Sequence, residues 1–510
     1  MLSHKNRILL PFVLLLALLL SGCAARSVEL SGGKVSLSVQ ELHMAVQPDD
    51  LEQLDAFTQL RLADFTGSVC YDELLAWAEA HPEVETHYTV PFPDGREVDS
   101  LTQELDLSAL PRAQKEEAAA LLRYVPGLSR VTLAKDAAIP LETLQLFLEQ
   151  RPDISYSFVL PLPGGSVSSD AQELRFIGHD ADDAQELRKV LPYLEALRYV
   201  DLGDEESSPD LGWQAIASLQ AERPDVDFDY AFTLYDRPFT TLDETVDLSH
   251  EKLRDKGAAV FRAIHCMPKL SYLDMDSCGV DDETMAAVRD LYPDVTVVWR
   301  VWFGGYYSAR TDAIKILASN PGVGGELKPG TYEPLKYFTK LKYLDVGHQP
   351  LLDDISFVSY MPDLEVAILA MGSWSDCTPL ADCPHLEFLE IQTTNVDDLT
   401  PLSGLKELRH LNIGHLFTLR DISPLYDLDL DRLWIGSVTP IPQEQVEEYQ
   451  RRHPDCVVST EGYDPHHMWR WIGIDEQGNP IRDPRYDLLV QQMGYDREEY
   501  AFEWVETRGW

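Results

Sequence analysis

The stretch Leu386–Gly414, LEFLEIQTTNVDDLTPLSGLKELRHLNIG, carries one pattern twice. Leu-x-x-Leu-x-Ile stands at Leu386, Leu389 and Ile391, and again 22 residues later at Leu408, Leu411 and Ile413. Outward from it, LKYLDVG starts at Leu341, LEVAILA at Leu364 and LDRLWIG at Leu430, so the steps are 23, 22, 22 and 22 residues. Each line but the last leads to a short turn: ISFV, CTPL, LTPL or ISPL. Pro379, Pro401 and Pro424 forbid a regular helix through three of these turns. Apolar first, fourth and sixth positions point into a core that one repeat cannot close alone, so neighbours must stack.

This block resembles the leucine-rich repeat family in its short, internalin-like form. The resemblance implies an α/β solenoid, with parallel strands lining a concave face and helices or turns on the convex one. Upstream the unit lengthens. HPEVETHYTVPF, RPDISYSFVLPL, RPDVDFDYAFTL and YPDVTVVWRVWF place their prolines at 82, 152, 224 and 293, a period near 70 residues. Each follows an amphipathic stretch such as PLETLQLFLEQ and precedes a strand signal: ELDLS, ELRFIG, TVDLSH or AIKILAS. A further leucine line (LRLADF, LSRVTLA, LRYVDLG, LSYLDMDSCGV) completes a unit of strand, helix, strand, helix, strand. In VDFDYAFTL, Val226, Phe228, Tyr230, Phe232 and Leu234 share the core face. This half resembles the helical, ribonuclease-inhibitor-like repeats. PQEQVEEYQRRHPDCVVST (442–460) returns to the long pattern, which favours one continuous array.

The chain has 510 residues, too many for one compact core, and a formal net charge of -44. Such a surface repels phosphate backbones and anionic lipid headgroups, which argues against nucleic acid and leaves membrane contact to another device. MLSHKNRILLPFVLLLALLLSGCAARS supplies one: Lys5 and Arg7, an apolar run from Ile8 to Leu20, then Leu20-Ser21-Gly22-Cys23. The run suits a signal peptide and is short of the ~20 residues that span a bilayer. The ending resembles a bacterial lipobox. That resemblance implies cleavage before Cys23, acyl chains on its sulfur, and a place on the extracytoplasmic side of the cell-envelope membrane. The expected organisation is signal peptide 1–22, lipidated cysteine and tether 23–33, long repeats 34–310, short repeats and the returning long unit 311–460, and an aromatic-rich cap 461–510 covering the last open repeat.

Catalytic motifs are missing. There is no Gly-x-Ser-x-Gly, no His-Glu-x-x-His, no phosphate-cradling glycine loop and no CxxC, so no enzyme, metal or cofactor is expected. The pairs Asp49-Asp50, Asp182-Asp183, Asp281-Asp282, Asp353-Asp354 and Asp397-Asp398 lack the alternating order of a calcium loop and are expected to cap backbone N–H groups. His466-His467 has no third ligand at useful spacing; His348, His410 and His415 read as exposed repeat side chains. Cys377 and Cys383 are the nearest disulfide candidates, against a plainer reading as buried thiols. Cys278 sits where a repeat's polar residue bonds the turn.

The alternation of the short repeats leaves two outward rows: Tyr343, Val366, Phe388, His410 and Arg432, and Asp345, Ile368, Glu390, Asn412 and Trp434. Aromatic and aliphatic groups among charges suit a protein or peptide ligand bound on an exposed strand face. An alternative is a glycan- or cell-wall-binding lipoprotein that uses Trp469, Trp471, Trp504 and Trp510.

Overall fold

The computed structural model describes residues 27–319, 322, 325–460, 471–477 and 479–493. The signal peptide, Cys23, His466-His467, Trp469, Trp504 and Trp510 lie outside the described residues. The chain divides into two compact units, Met1–Phe232 and Thr233–Trp510.

The first unit opens with an antiparallel hairpin, Ser27–Leu30 against Gly33–Ser36. Two parallel three-strand sheets follow: Glu41–His43, Leu62–Asp64 and Glu85–His87, then Glu104–Asp106, Arg130–Thr132 and Ser155–Ser157. A third begins with Glu173–Arg175, Tyr199–Asp204 and the strand starting at Asp227. Helices Tyr71–Ala80, Leu141–Gln150 and Trp213–Glu222 separate second strands from third. Their apolar residues three apart, such as Leu144 with Phe147 and Ile216 with Leu219, are fully buried. Val226, Phe228, Tyr230, Phe232 and Leu234 are likewise all buried, as their alternation requires.

The recurring Arg-Pro-Asp has a structural task. Arg223 Nη1 donates to the carbonyls of Leu191 (2.9 Å) and Leu194 (2.8 Å), while its Nε and Nη2 hold Asp225. Arg151 makes the same ties to Val125, Leu128 and Asp153. Each guanidinium thus caps carbonyls of the preceding turn and ties the second helix of a long unit to the turn after the first helix of the same unit.

The long units also contain an element not expected from sequence. After the third strand the chain doubles back as a hairpin: Thr89–Pro91 with Glu97–Asp99, and Val159–Leu162 with Gly165–Ser168. The second unit repeats this at Arg300–Phe303 with Tyr307–Arg310. The turns use Gly95, Gly164, and Gly304-Gly305, all at positive φ.

The second unit starts with the parallel strands Thr245–Asp247, Tyr272–Asp274 and Thr296–Val298. A seven-strand parallel sheet then runs through Lys315–Leu317, Tyr343–Asp345, Val366–Ile368, Phe388–Glu390, His410–Asn412, Arg432–Trp434 and Val457–Ser459. Four 3₁₀ turns at 356–360, 378–382, 400–404 and 423–425 replace helices between successive strands. Asp354, Asp376, Asp398 and Asp421 each accept the backbone N–H two residues on, at 2.8 Å, as the chain enters its turn. Asp281 caps the helix Asp282–Leu291 through Thr284 N–H; at Asp182-Asp183 the capping residue is Asp180.

Cys377 and Cys383 are not bonded to each other. Both are free, buried thiols pushed up to about 12 by burial, with Sγ donating to the carbonyls of Asp398 and of Met361 respectively. Cys278 Sγ donates to Leu248 O at 2.9 Å, the turn-bonding role expected of it.

Candidate functional site

The register of the seven-strand sheet builds the two expected rows. Tyr343 faces Val366, then Phe388, His410 and Arg432; Asp345 faces Ile368, then Glu390, Asn412 and Trp434. The middle residues, Leu344, Ala367, Leu389, Leu411 and Leu433, point the other way and are fully buried between strands and turns.

The rows themselves are not exposed. Val366, Ile368, Phe388, Glu390, Asn412, Arg432 and Trp434 are at most 3% exposed, His410 is 6% and Asp345 5%; Tyr343 alone is half-buried. Over Val366, Ile368, Phe388 and Trp434 the cover is the helix Pro484–Met493, which packs on the face. Its Tyr486, Leu489, Val490 and Met493, spaced i, i+3, i+4 and i+7, form one apolar cluster with Leu317, Val366, Ile368, Phe388 and Trp434, and Tyr343 packs at the margin. Helix 484–493 of the region expected to cap the array thus packs on the strand face, which accounts for the apolar members of the rows that it touches. His410 is no exposed repeat residue either: its ring stacks on Phe388, with centroids 5.7 Å apart.

Charge fixes the helix at its start. Asp483 Oδ2 accepts from Arg432 Nη1 at 3.0 Å, and its Oδ1 lies 3.7 Å from His410 Nε2 and accepts from Arg485 N–H at 2.8 Å. Burial alone would raise the Asp483 carboxyl; the nearby His410 ring and hydrogen bonds from the Arg485 backbone and Arg432 outweigh it and hold the group well below the usual carboxylate range. Arg485 reaches across to Glu387 at 3.1 Å. At the far end Lys315 Nζ donates to Gln492 O at 3.4 Å. The pro-line at the first helical position and the acid before it are a helix start of ordinary kind.

Two of the predicted binding residues are also occupied with their own backbone. Asp345 accepts from Gly347 N–H and Asn412 from Gly414 N–H, each at 3.0 Å, ending the strand. Asp64, Asp106, Asp201, Asp247 and Asp274 do the same in the long units. The recurrence of Asp or Asn at the end of several of these strands was the available signal. Trp434 lies over Gly414, where a Cβ would meet its ring at 2.9 Å, so a glycine is required there. The Nδ2 of Asn412, on a residue with no exposed surface, has no hydrogen-bond partner among the described residues.

Stacked 22-residue turns, a parallel sheet and 3₁₀ connections in steady register define the architecture. The fold is an α/β leucine-rich repeat solenoid. No protein-family model matches the chain, and no curated protein matches it. Among solved structures it is similar to an internalin (InlF) of Listeria monocytogenes at 17% identity and a TM-score of 0.26, covering 67% of this chain and 78% of that one. It is similar to a leucine-rich repeat protein of Leptospira interrogans at 12% identity and 0.21, covering 80% and 91%. Likenesses this distant add nothing to what the repeat geometry shows directly.

Proposed function

We propose that this protein is a non-enzymatic binding protein, held by acyl chains on Cys23 at the extracytoplasmic side of a bacterial envelope membrane, and that its seven-strand face takes a protein or peptide ligand. One observation carries the reading: the face already holds an amphipathic segment, through four apolar anchors and ion pairs to Arg432 and Glu387. Such helix-in-groove burial is a common mode of protein recognition. The acidic surface, with its net charge of -44, supports a protein ligand over nucleic acid.

The test places a photoreactive residue at Tyr343, on the margin of the face, or at the exposed Tyr360 on the turn side. Ligand cross-linked from position 343 and not from 360 is the expected result; cross-linking from 360 alone overturns the placement. For the anchor, the full precursor should partition with membranes and its Cys23→Ser variant should be released. Equal partitioning of both would sink the lipid assignment.

A further inference from the structure

The covering helix describes the ligand. We propose that the face takes an amphipathic helix of the same design as Pro484–Met493, with an acidic residue just before its first turn and apolar anchors at i, i+3, i+4 and i+7, and that the chain's own helix closes the site until such a partner displaces it. This rests on the binding reading above and names the partner for that same face.

Three features make the helix a removable occupant. First, no strand needs it: each strand from Lys315 to Ser459 is paired through its neighbours alone. Second, its described stretch, Pro484–Met493, is held to the face by one apolar cluster and by the ties of Asp483 and Arg485 rather than by sheet pairing. Third, the buried Nδ2 of Asn412, on the same strand face, has no hydrogen-bond partner among the described residues; a ligand helix with an acceptor opposite Asn412 would gain a bond there. Selectivity comes from the Arg432 and His410 pair on Asp483 at the entry and from Glu387 on Arg485 one turn later. A basic residue in place of that leading acid would set like charges together at a buried guanidinium, so helices of reversed polarity are rejected.

The experiment uses full-length chains and a fluorescent synthetic peptide of residues 480–493, read by anisotropy. The parent should bind it poorly, because the site is closed from within. Asp483→Arg should release the resident helix by repulsion from Arg432 and bind the peptide. Asp483→Arg/Arg432→Asp should re-close the site with reversed charges and bind the peptide at least ~30-fold more weakly than Asp483→Arg alone. Circular dichroism of all three checks folding, and the double variant serves as the folded control because it restores the pair. Peptide binding unaffected by the Arg432 reversal, or no binding to a folded Asp483→Arg chain, overturns the proposal. So does a parent that is dimeric and becomes monomeric in Asp483→Arg, because the occupant would then be a second copy. If the peptide fails to bind while position 343 still cross-links a protein ligand, this proposal falls and the binding function stands. If the peptide binds but position 343 captures no ligand, the binding function falls and takes this proposal with it.

Discussion

Phe388 and Leu389 are neighbours in one three-residue strand, and the structure gives them opposite duties. Phe388 is 1% exposed and lies beneath the covering helix, stacked on His410 and under the Arg485 guanidinium. Leu389 is fully buried on the other side, in register between Ala367 and Leu411. Truncating a buried Phe costs about 3–5 kcal/mol and a buried Leu about 2–5 kcal/mol. The difference lies in which state pays. Phe388→Ala weakens only the closed state, so the helix should open about 100-fold more often at the low end of that range. Leu389→Ala weakens closed and open states alike, so opening stays the same while the array as a whole loses stability. Limited trypsin digestion under native conditions reads opening through cleavage after Arg485, which has 16% of its side chain exposed. Urea denaturation by circular dichroism reads the array. Phe388→Ala should accelerate cleavage about 100-fold, and Leu389→Ala should leave it within about threefold while lowering the urea midpoint. Equal acceleration in both would refute the assignment of the two faces, and no acceleration in Phe388→Ala would refute the coverage of Phe388.

Other outcomes follow from particular groups. The folded-state pKa of Asp483 is depressed, so its pairing stabilises the closed helix above the ordinary carboxylate value near about 4 and is lost as pH falls through the folded value. Trypsin is inactive there, so pepsin cleavage between pH 4 and 2 should rise in the parent and be flatter in Asp483→Asn. Asp276, 2% exposed and paired bidentately with Arg300 at 2.9 Å, should cost about 3–5 kcal/mol when changed to Ala, seen as a lowered thermal midpoint of the second unit. Cys377, Cys383 and Cys456, each pushed up to about 12 by burial, should resist Ellman's reagent at pH 8 until the chain is unfolded, and intact mass should show no bond between Cys377 and Cys383.

The repeat and its register were legible because they are local. A 22-residue period with alternating leucines specifies which residues stack, and both rows formed as the alternation requires. The exposure of those rows was not legible. Aromatic and charged residues on a strand face look alike whether the cover is another protein or the chain's own helix. Here the decisive contacts join residues 51, 98 and 177 positions apart, Arg432 to Asp483, Glu387 to Arg485 and Lys315 to Gln492. The helix itself had a signal, an Asp-Pro start followed by Tyr486, Leu489, Val490 and Met493, but periodicity names a buried face without naming what buries it. The hairpins in the long units were missed for a different reason. Their Pro-Asp-Gly, Pro-Gly-Gly and Gly-Gly turns were present, but the strand before each turn reads as continuing the parallel sheet, and only the reversal shows that it ends there.

The central claim is that the strand face is a site the chain's own helix closes and can leave. Hydrogen exchange of the intact chain, followed by mass spectrometry, tests it most directly. The account predicts that amides in 484–493 exchange through a local opening while those in 386–414 stay protected, so the two segments separate in time under native conditions. Exchange of both segments in a single cooperative step would show the helix to be part of the array's core, and would contradict the account.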